Sequence, residues 1–235
     1  MTLISKDAVA GLKKAVKGRI VLPEDADYHE VRKVWNATID RHPKVIVRCA
    51  EAEDVPPALD FARRHKLDIS VRGAGHNIAG NAVCEGGIMI DMSTMTGVQV
   101  DAVNNIALVE PGARLSDVDL ATQQHGLATP LGINSTTGVA GLTLGGGFGW
   151  LTRQHGMTVD NLLAVELVTA EGSRFGPASR KTVICFGRSA GRAVISASLP
   201  VLNTGCMRWG RRSPPGCWCF PWRRQPRCCS NTVIT

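Results

Sequence analysis

VRGAGHNIAG, residues 71–80, runs from a short apolar strand straight into a glycine-rich turn, and that junction decides the fold. Glycines at such a place let the backbone approach a ligand closely, and successive N–H groups can form an anion-binding nest. Arg72 adds a fixed positive charge that suits a diphosphate. Read alone, a loop of this kind is more often a tight turn than a phosphate loop. It lacks the G-x-G-x-x-G spacing of a dinucleotide-binding domain and no helical pattern follows it, so the sequence argues against a nicotinamide cofactor.

Upstream, residues 44–49 (KVIVRC) form an apolar, β-branched run that predicts a buried strand. Pro56 then opens a helix that places Val55, Leu59 and Ala62 on one face and closes near Lys66. Residues 68–71 return as a strand, making a β-α-β unit whose exit is the loop. Downstream, residues 87–91 (GIMID) predict a strand and residues 98–109 a hairpin turning at Asn104 and Asn105. Ser116 with Asp119 reads as a helix start, and Gly126 closes that helix after His125. Residues 163–169 form the last clear strand, before a turn at Glu171 and Gly172. The order implies an α+β protein of two small α/β subdomains whose loops meet between them. Residues 1–43 are a lead-in segment expected to pack against the domain that begins at residue 44.

Residues 131–150, LGINSTTGVAGLTLGGGFGW, are denser still in glycine. A flexible linker would not interleave Val139, Leu142, Leu144, Phe148 and Trp150, so the pattern fits a packed wall against a flat ligand better. The bulk composition, 44% hydrophobic and 20% charged, is that of an ordinary globular chain. The start has no apolar core long enough for a signal peptide, and no stretch reaches the roughly 20 apolar residues of a membrane span. A cytoplasmic protein with no membrane partner is expected.

In order and with matching spacing from about residue 44 to 175, VRGAGHNIAG, GIMIDMS, VEPGA, TPLG, GVAGLTLGGGFGWLTRQHGMTVDNL and VELVTAEG resemble the PCMH-type FAD-binding domain of the vanillyl-alcohol-oxidase class. Within that class the berberine-bridge-enzyme-like and hydroxynicotine-oxidase-like oxidases are the most similar. The resemblance implies an FAD-dependent oxidoreductase that takes a hydride from a C–H of an alcohol, amine or sugar. The electrons would pass to oxygen or another acceptor. It implies a pyrophosphate loop of Arg72, Gly73, Ala74, Gly75, His76 and Asn77. The flavin would be held covalently through His76. Ser93, Gly132, Gly138, Gly141, Gly145 and Gly146 would line the cofactor, and Val168 would touch its adenine end. Asn134 stands where some relatives attach the flavin a second time through cysteine, so one linkage is implied. No catalytic base is assigned. The other five histidines are read as ordinary, Cys49 and Cys84 as buried thiols, and no metal site is expected.

After residue 175 the chain departs from the pattern. Residues 1–175 carry a net charge of −3, whereas residues 176–235 hold 10 basic residues, no acid and six of the eight cysteines. Synonymous codons for residues 183–198, regrouped by one base, spell DLFWAIRGAGGNFGV, which resembles the family's next segment. Residues 199–206 extend that reading with ATRFEYRLH. Residues 176–235 are therefore read as an out-of-frame tail, expected to be disordered and to contribute no strand, and the FAD domain as incomplete at its C-terminal end. The rival readings of the tail are weaker. Cys217, Cys219, Cys228 and Cys229 lack zinc spacing and no histidine accompanies them. Arg223, Arg224 and Arg227 beside Trp218 and Trp222 only imitate a nucleic-acid patch, so no nucleic-acid partner is expected. The competing class is a non-enzymatic fragment without stable cofactor binding.

Overall fold

A computed structural model of the chain describes residues 4–175, 193–200 and 202–203. A four-stranded sheet holds the first half together, with β1 (Arg19–Val21), β2 (Val45–Arg48), β3 (Ile69–Arg72) and β4 (Ile88–Asp91) in the order β1-β2-β4-β3. β2, β4 and β3 run parallel and β1 lies antiparallel on the edge. The strands alternate their faces as period-two geometry requires. Val45, Val47, Ile88 and Ile90 pack with Val9 and Leu12 of α1 (Lys6–Ala15) and with Leu59 and Ala62 of α3 (Val55–Arg64). Ile46 and Met89 face the other way, onto Tyr28 and Val31 of α2 (Tyr28–Val31) and onto Val83. Pro56 and Pro57 start α3 at no cost, because the first helical N–H groups have no partner inside the helix.

The lead-in segment therefore does more than pack on the domain: it supplies the edge strand β1. Buried Asp54 pins it there, accepting the N–H groups of Lys17 (2.6 Å), Gly18 (3.0 Å) and Ala50 (2.8 Å). A side chain at residue 18 would lie 2.0 Å from the Arg48 carbonyl oxygen, so this close approach admits only glycine.

The second sheet is antiparallel throughout, in the order β5-β6-β10-β8-β9. Its strands are β5 (Val98–Asp101), β6 (Ile106–Val109), β8 (Ala164–Val168), β9 (Arg174–Phe175) and β10 (Ala193–Pro200). β7 (Leu127–Ala128) pairs separately with β11 (Leu202–Asn203). The predicted hairpin is present, with Asn105 at a positive φ of 56°. α4 (Leu115–Gln123) closes the core of this half, which includes Ala107, Val109, Leu115, Val118, Leu127 and Val139. Its start corrects the sequence reading. Arg114, not Ser116, occupies the cap, and its N–H donates to the Asp117 carboxylate at 2.8 Å, while the Ser116 N–H goes to the Ser135 carbonyl. The two short helices α5 (Val139–Leu144) and α6 (Thr152–His155) fall within and just after the glycine-dense stretch.

β10 corrects a larger expectation. Residues 193–200, AVISASLP, lie in the segment expected to contribute no strand, yet they pair along β6 on one side and β8 on the other. The backbone of β6 and β8 presents ladder groups that a strand between them must satisfy, and Val194 and Ile195 favour extended backbone. The cysteine pairs and the arginine–tryptophan stretch beyond residue 206 lie outside the described residues.

Candidate functional site

β3 ends at Arg72, and the chain then turns through residues 73–77. Arg72 is buried, and all three of its guanidinium nitrogens donate hydrogen bonds. It clamps Asp91 at the end of β4 through Nε–Oδ1 (2.8 Å) and Nη2–Oδ2 (2.5 Å), and Nη1 donates to the Val31 and Lys33 carbonyls at 2.5 and 2.9 Å. Burial by itself would push the Asp91 carboxyl up. The hydrogen bonds and charge of Arg72, with help from Ser93, outweigh it and hold the carboxyl below the usual range. The guanidinium that the sequence offered to a diphosphate is thus fixed by Asp91 and anchors the loop, while it also lines the polar cleft beside it.

What the loop offers instead is its backbone. Among the described residues, the N–H groups of Gly73, Ala74, Gly75, His76 and Asn77 donate to no other group. Five successive free donors, with Gly75 at φ 74°, make a surface for an anion rather than a self-satisfied turn. The loop borders a polar cleft of about 180 Å³ lined by Lys33, Arg72, Ala74, Ser93, Gly112 and Arg114. Its backing is tight. A side chain at residue 73 would meet the Pro111 carbonyl oxygen at 2.6 Å.

The second glycine-rich stretch meets the first. Gly138, capping α5, lies so near that an added carbon would stand 2.7 Å from the Ala74 methyl group. Thr136 reaches His76, with Oγ1 3.2 Å from Nε2. The two glycine-rich loops are therefore in contact. Gly132 packs on Leu142, whereas Gly141 and Gly145 are exposed. Gly146 takes a φ of 105°, against Met157. Phe148 and Trp150 are 65% and 61% exposed, so the wall is uncovered on that side. Val168 is fully buried in the hydrophobic core and shows no surface to a ligand in this arrangement.

His76 itself is half-buried. Burial, and then the charge of Arg114, depress its pKa below the usual value, favouring a neutral ring. The indole of Trp35 stacks on it, ring centroids 5.0 Å apart and 24° from parallel. Trp35, Thr136, Asp91 and Arg114 were not singled out by the sequence. Only Asp91 left a signal there, as the single carboxylate ending an apolar strand. Cys49 is buried and its thiol is pushed up to about 12, so it is inert. Among the described residues there is no cluster of metal-ligating side chains, and no helix long and apolar enough to cross a membrane.

Residues 43–175 match the FAD binding domain family. The chain belongs to that family of FAD-linked oxidoreductases. It is 37% identical over 159 residues to an uncharacterised FAD-linked oxidoreductase of Bacillus subtilis, covering 68% of this chain and 35% of the relative. It is 34% identical over 158 residues to (R)-6-hydroxynicotine oxidase of Paenarthrobacter nicotinovorans, covering 67% and 34%. Among solved structures, 6-hydroxy-D-nicotine oxidase of Arthrobacter nicotinovorans superposes with a TM-score of 0.75 at 29% identity, covering 80% of this chain and 43% of that one. A berberine-bridge-enzyme-like protein of Physcomitrella patens gives 0.77 at 26%, covering 83% and 44%. The chain thus spans about a third of the length of these curated relatives. The free donors of residues 73–77 lie within the segment that matches the family, with the basic side chains Lys33 and Arg114 beside them.

Proposed function

We propose that the protein belongs to an oxidase or dehydrogenase acting on a C–H bond of an alcohol, amine or sugar, with FAD held covalently through His76. FAD would supply the two-electron acceptor. Residues 73–77 bind its diphosphate through backbone N–H groups, with Arg72 fixing the loop from behind. Ser93, Gly132, Gly138, Gly141, Gly145 and Gly146 border the cofactor. His76, whose depressed pKa favours a neutral imidazole, stands within the donor run ready to bond the ring, and Asn134 leaves no second point of attachment. A small-molecule substrate and oxygen or another acceptor are the remaining partners. The observation that carries this reading is the run of five free N–H donors, His76 among them, on which the second loop closes.

This reading includes the chain beyond residue 175. The one-base regrouping of residues 183–206 into DLFWAIRGAGGNFGVATRFEYRLH supports a frame shift near residues 175–176. Resequencing the gene is expected to find either a base missing there or an error in the recorded sequence, with a family-like frame continuing downstream. Immediate stop codons in that frame would end the idea. In the frame-restored protein, flavin fluorescence is expected to survive denaturing electrophoresis and to vanish in His76→Ala. Fluorescence that persists in His76→Ala would move the attachment elsewhere.

A second reading, that residues 1–235 hold no flavin by themselves, is favoured by the exposure of Ile133, Phe148, Trp150 and Leu163 beside the site. The visible absorption spectrum of the purified chain separates the two.

A further inference from the structure

Two segments far apart in sequence converge on the imidazole of His76. Trp35, just after α2, stacks on the ring, and its backbone N–H donates to the Gly75 carbonyl at 3.1 Å, tying the main chain at Trp35 to the loop that carries His76. Thr136 Oγ1 sits 3.2 Å from Nε2. The same Oγ1 lies 2.8 Å from Asn134 Oδ1, which also receives the Thr136 N–H at 3.0 Å.

The directions of these bonds follow from the donor inventory. A backbone N–H can only donate, so the Asn134 atom facing it is the amide oxygen. An amide oxygen can only accept, so the single hydroxyl proton of Thr136 points to Asn134. Thr136 then has lone pairs alone to offer His76, and Nε2 must carry the hydrogen. Nδ1 is left with its lone pair. Which ring nitrogen bears the proton is ordinarily set by the partner of the other, and here the chain of bonds starts at a main-chain amide that cannot reverse.

We propose that Asn134, Thr136 and Trp35 are positioning residues that hold His76 as its Nε2–H tautomer with the ring plane fixed, presenting Nδ1 as the nucleophile. The role rests on the reading of His76 as the flavin-attachment residue. Bond formation would exchange one C–H of the ring methyl group for a C–Nδ1 bond. That proton and the one on Nε2 leave, and the two electrons pass through the ring to dioxygen, giving hydrogen peroxide. Burial and the neighbouring charge of Arg114 act in the same direction, since an imidazolium would have no lone pair to give.

The test needs no flavin. In the chain of residues 1–235 labelled with ¹⁵N-histidine, two-bond ¹H–¹⁵N correlation spectra report the tautomer of each of the six histidines, and His76→Ala identifies the relevant one. His76 is expected to show a protonated Nε2 and a bare Nδ1. Thr136→Val should abolish the preference and mix the tautomers, and Thr136→Ser should restore it. Asn134→Ala frees the hydroxyl to donate and should shift the population towards Nδ1–H. Trp35→Leu should broaden the ring signals through motion, and Trp35→Phe should not. A protonated Nδ1 in the unaltered chain, or an unchanged tautomer in Thr136→Val, overturns the proposal. These spectra judge the relay alone, whereas electrophoresis of the frame-restored protein judges the attachment, so a failure of either is recognised separately.

Discussion

Arg72 and Asp91 are the residues on which the cofactor loop depends. The carboxylate is fully buried and the arginine nearly so, and their fork joins the ends of two adjacent parallel strands at the point where the loop departs. Removing one partner of such a pair typically costs about 3–5 kcal/mol when the other charge is left uncompensated; Arg48, with Nε 3.2 Å from Asp91 Oδ2, keeps part of the pairing when Arg72 is lost, so that range is an upper bound. Arg72→Ala is accordingly expected to lower Tm far more than a surface arginine substitution such as Arg153→Ala. The pair also has a pH signature. The folded-state pKa of Asp91 lies below its unfolded value of about 3.9. Its contribution is therefore fully present above that value and is lost as pH falls through the lower, folded one. Thermal melts of the unaltered chain and of Asp91→Asn should differ most near neutral pH and converge in acid. A gap that stays constant down to the acid transition would show that the carboxylate charge is not what stabilises the pair.

Between elements, the critical contact is where the cap of α5 meets the loop after β3. A methyl group at residue 138 would stand 2.7 Å from that of Ala74, and overpacking of this kind costs about 1–3 kcal/mol. Gly138→Ala should lower Tm and weaken flavin retention in the frame-restored protein. Gly11→Ala, in a helical position with open space around it, should instead raise Tm by up to about 1 kcal/mol in equivalent stability. The strand before the first loop and the start of α3 were legible in the sequence, because both are written in local signals: β-branched runs, and prolines at a helix start. Contacts made across the chain were not. Thr136 and His76 stand 60 positions apart, and no periodicity links them. β1 has only three residues, too few for an alternation to be read, and it exists because β2 offers it an edge. The charge of Arg72 was legible, but its spending on Asp91 was not, since that pairing depends on parallel register.

At the scale of the whole molecule, the second sheet depends on a strand from far along the chain. Ser198 of β10 pairs with Leu108 on one side and Ala164 on the other. Proline there removes a donor from a central strand, where it is not tolerated. One lost ladder bond is worth on the order of 1 kcal/mol, and a chain of this size loses about 2–4 °C in Tm per kcal/mol. Ser198→Pro should therefore lower Tm by at least that amount, and an unchanged melt would remove β10 from the stable core. The position of β10 also sets a timetable for synthesis. Every strand of the first sheet has been made by residue 91, but β6, finished at residue 109, has no inner neighbour until residue 200. At about 5–20 residues per second that is a wait of about 5–20 s. During that time a growing chain carries one sheet complete and the edges of the other bare. A nascent chain stalled in this interval should be the form that chaperones bind and proteases cut.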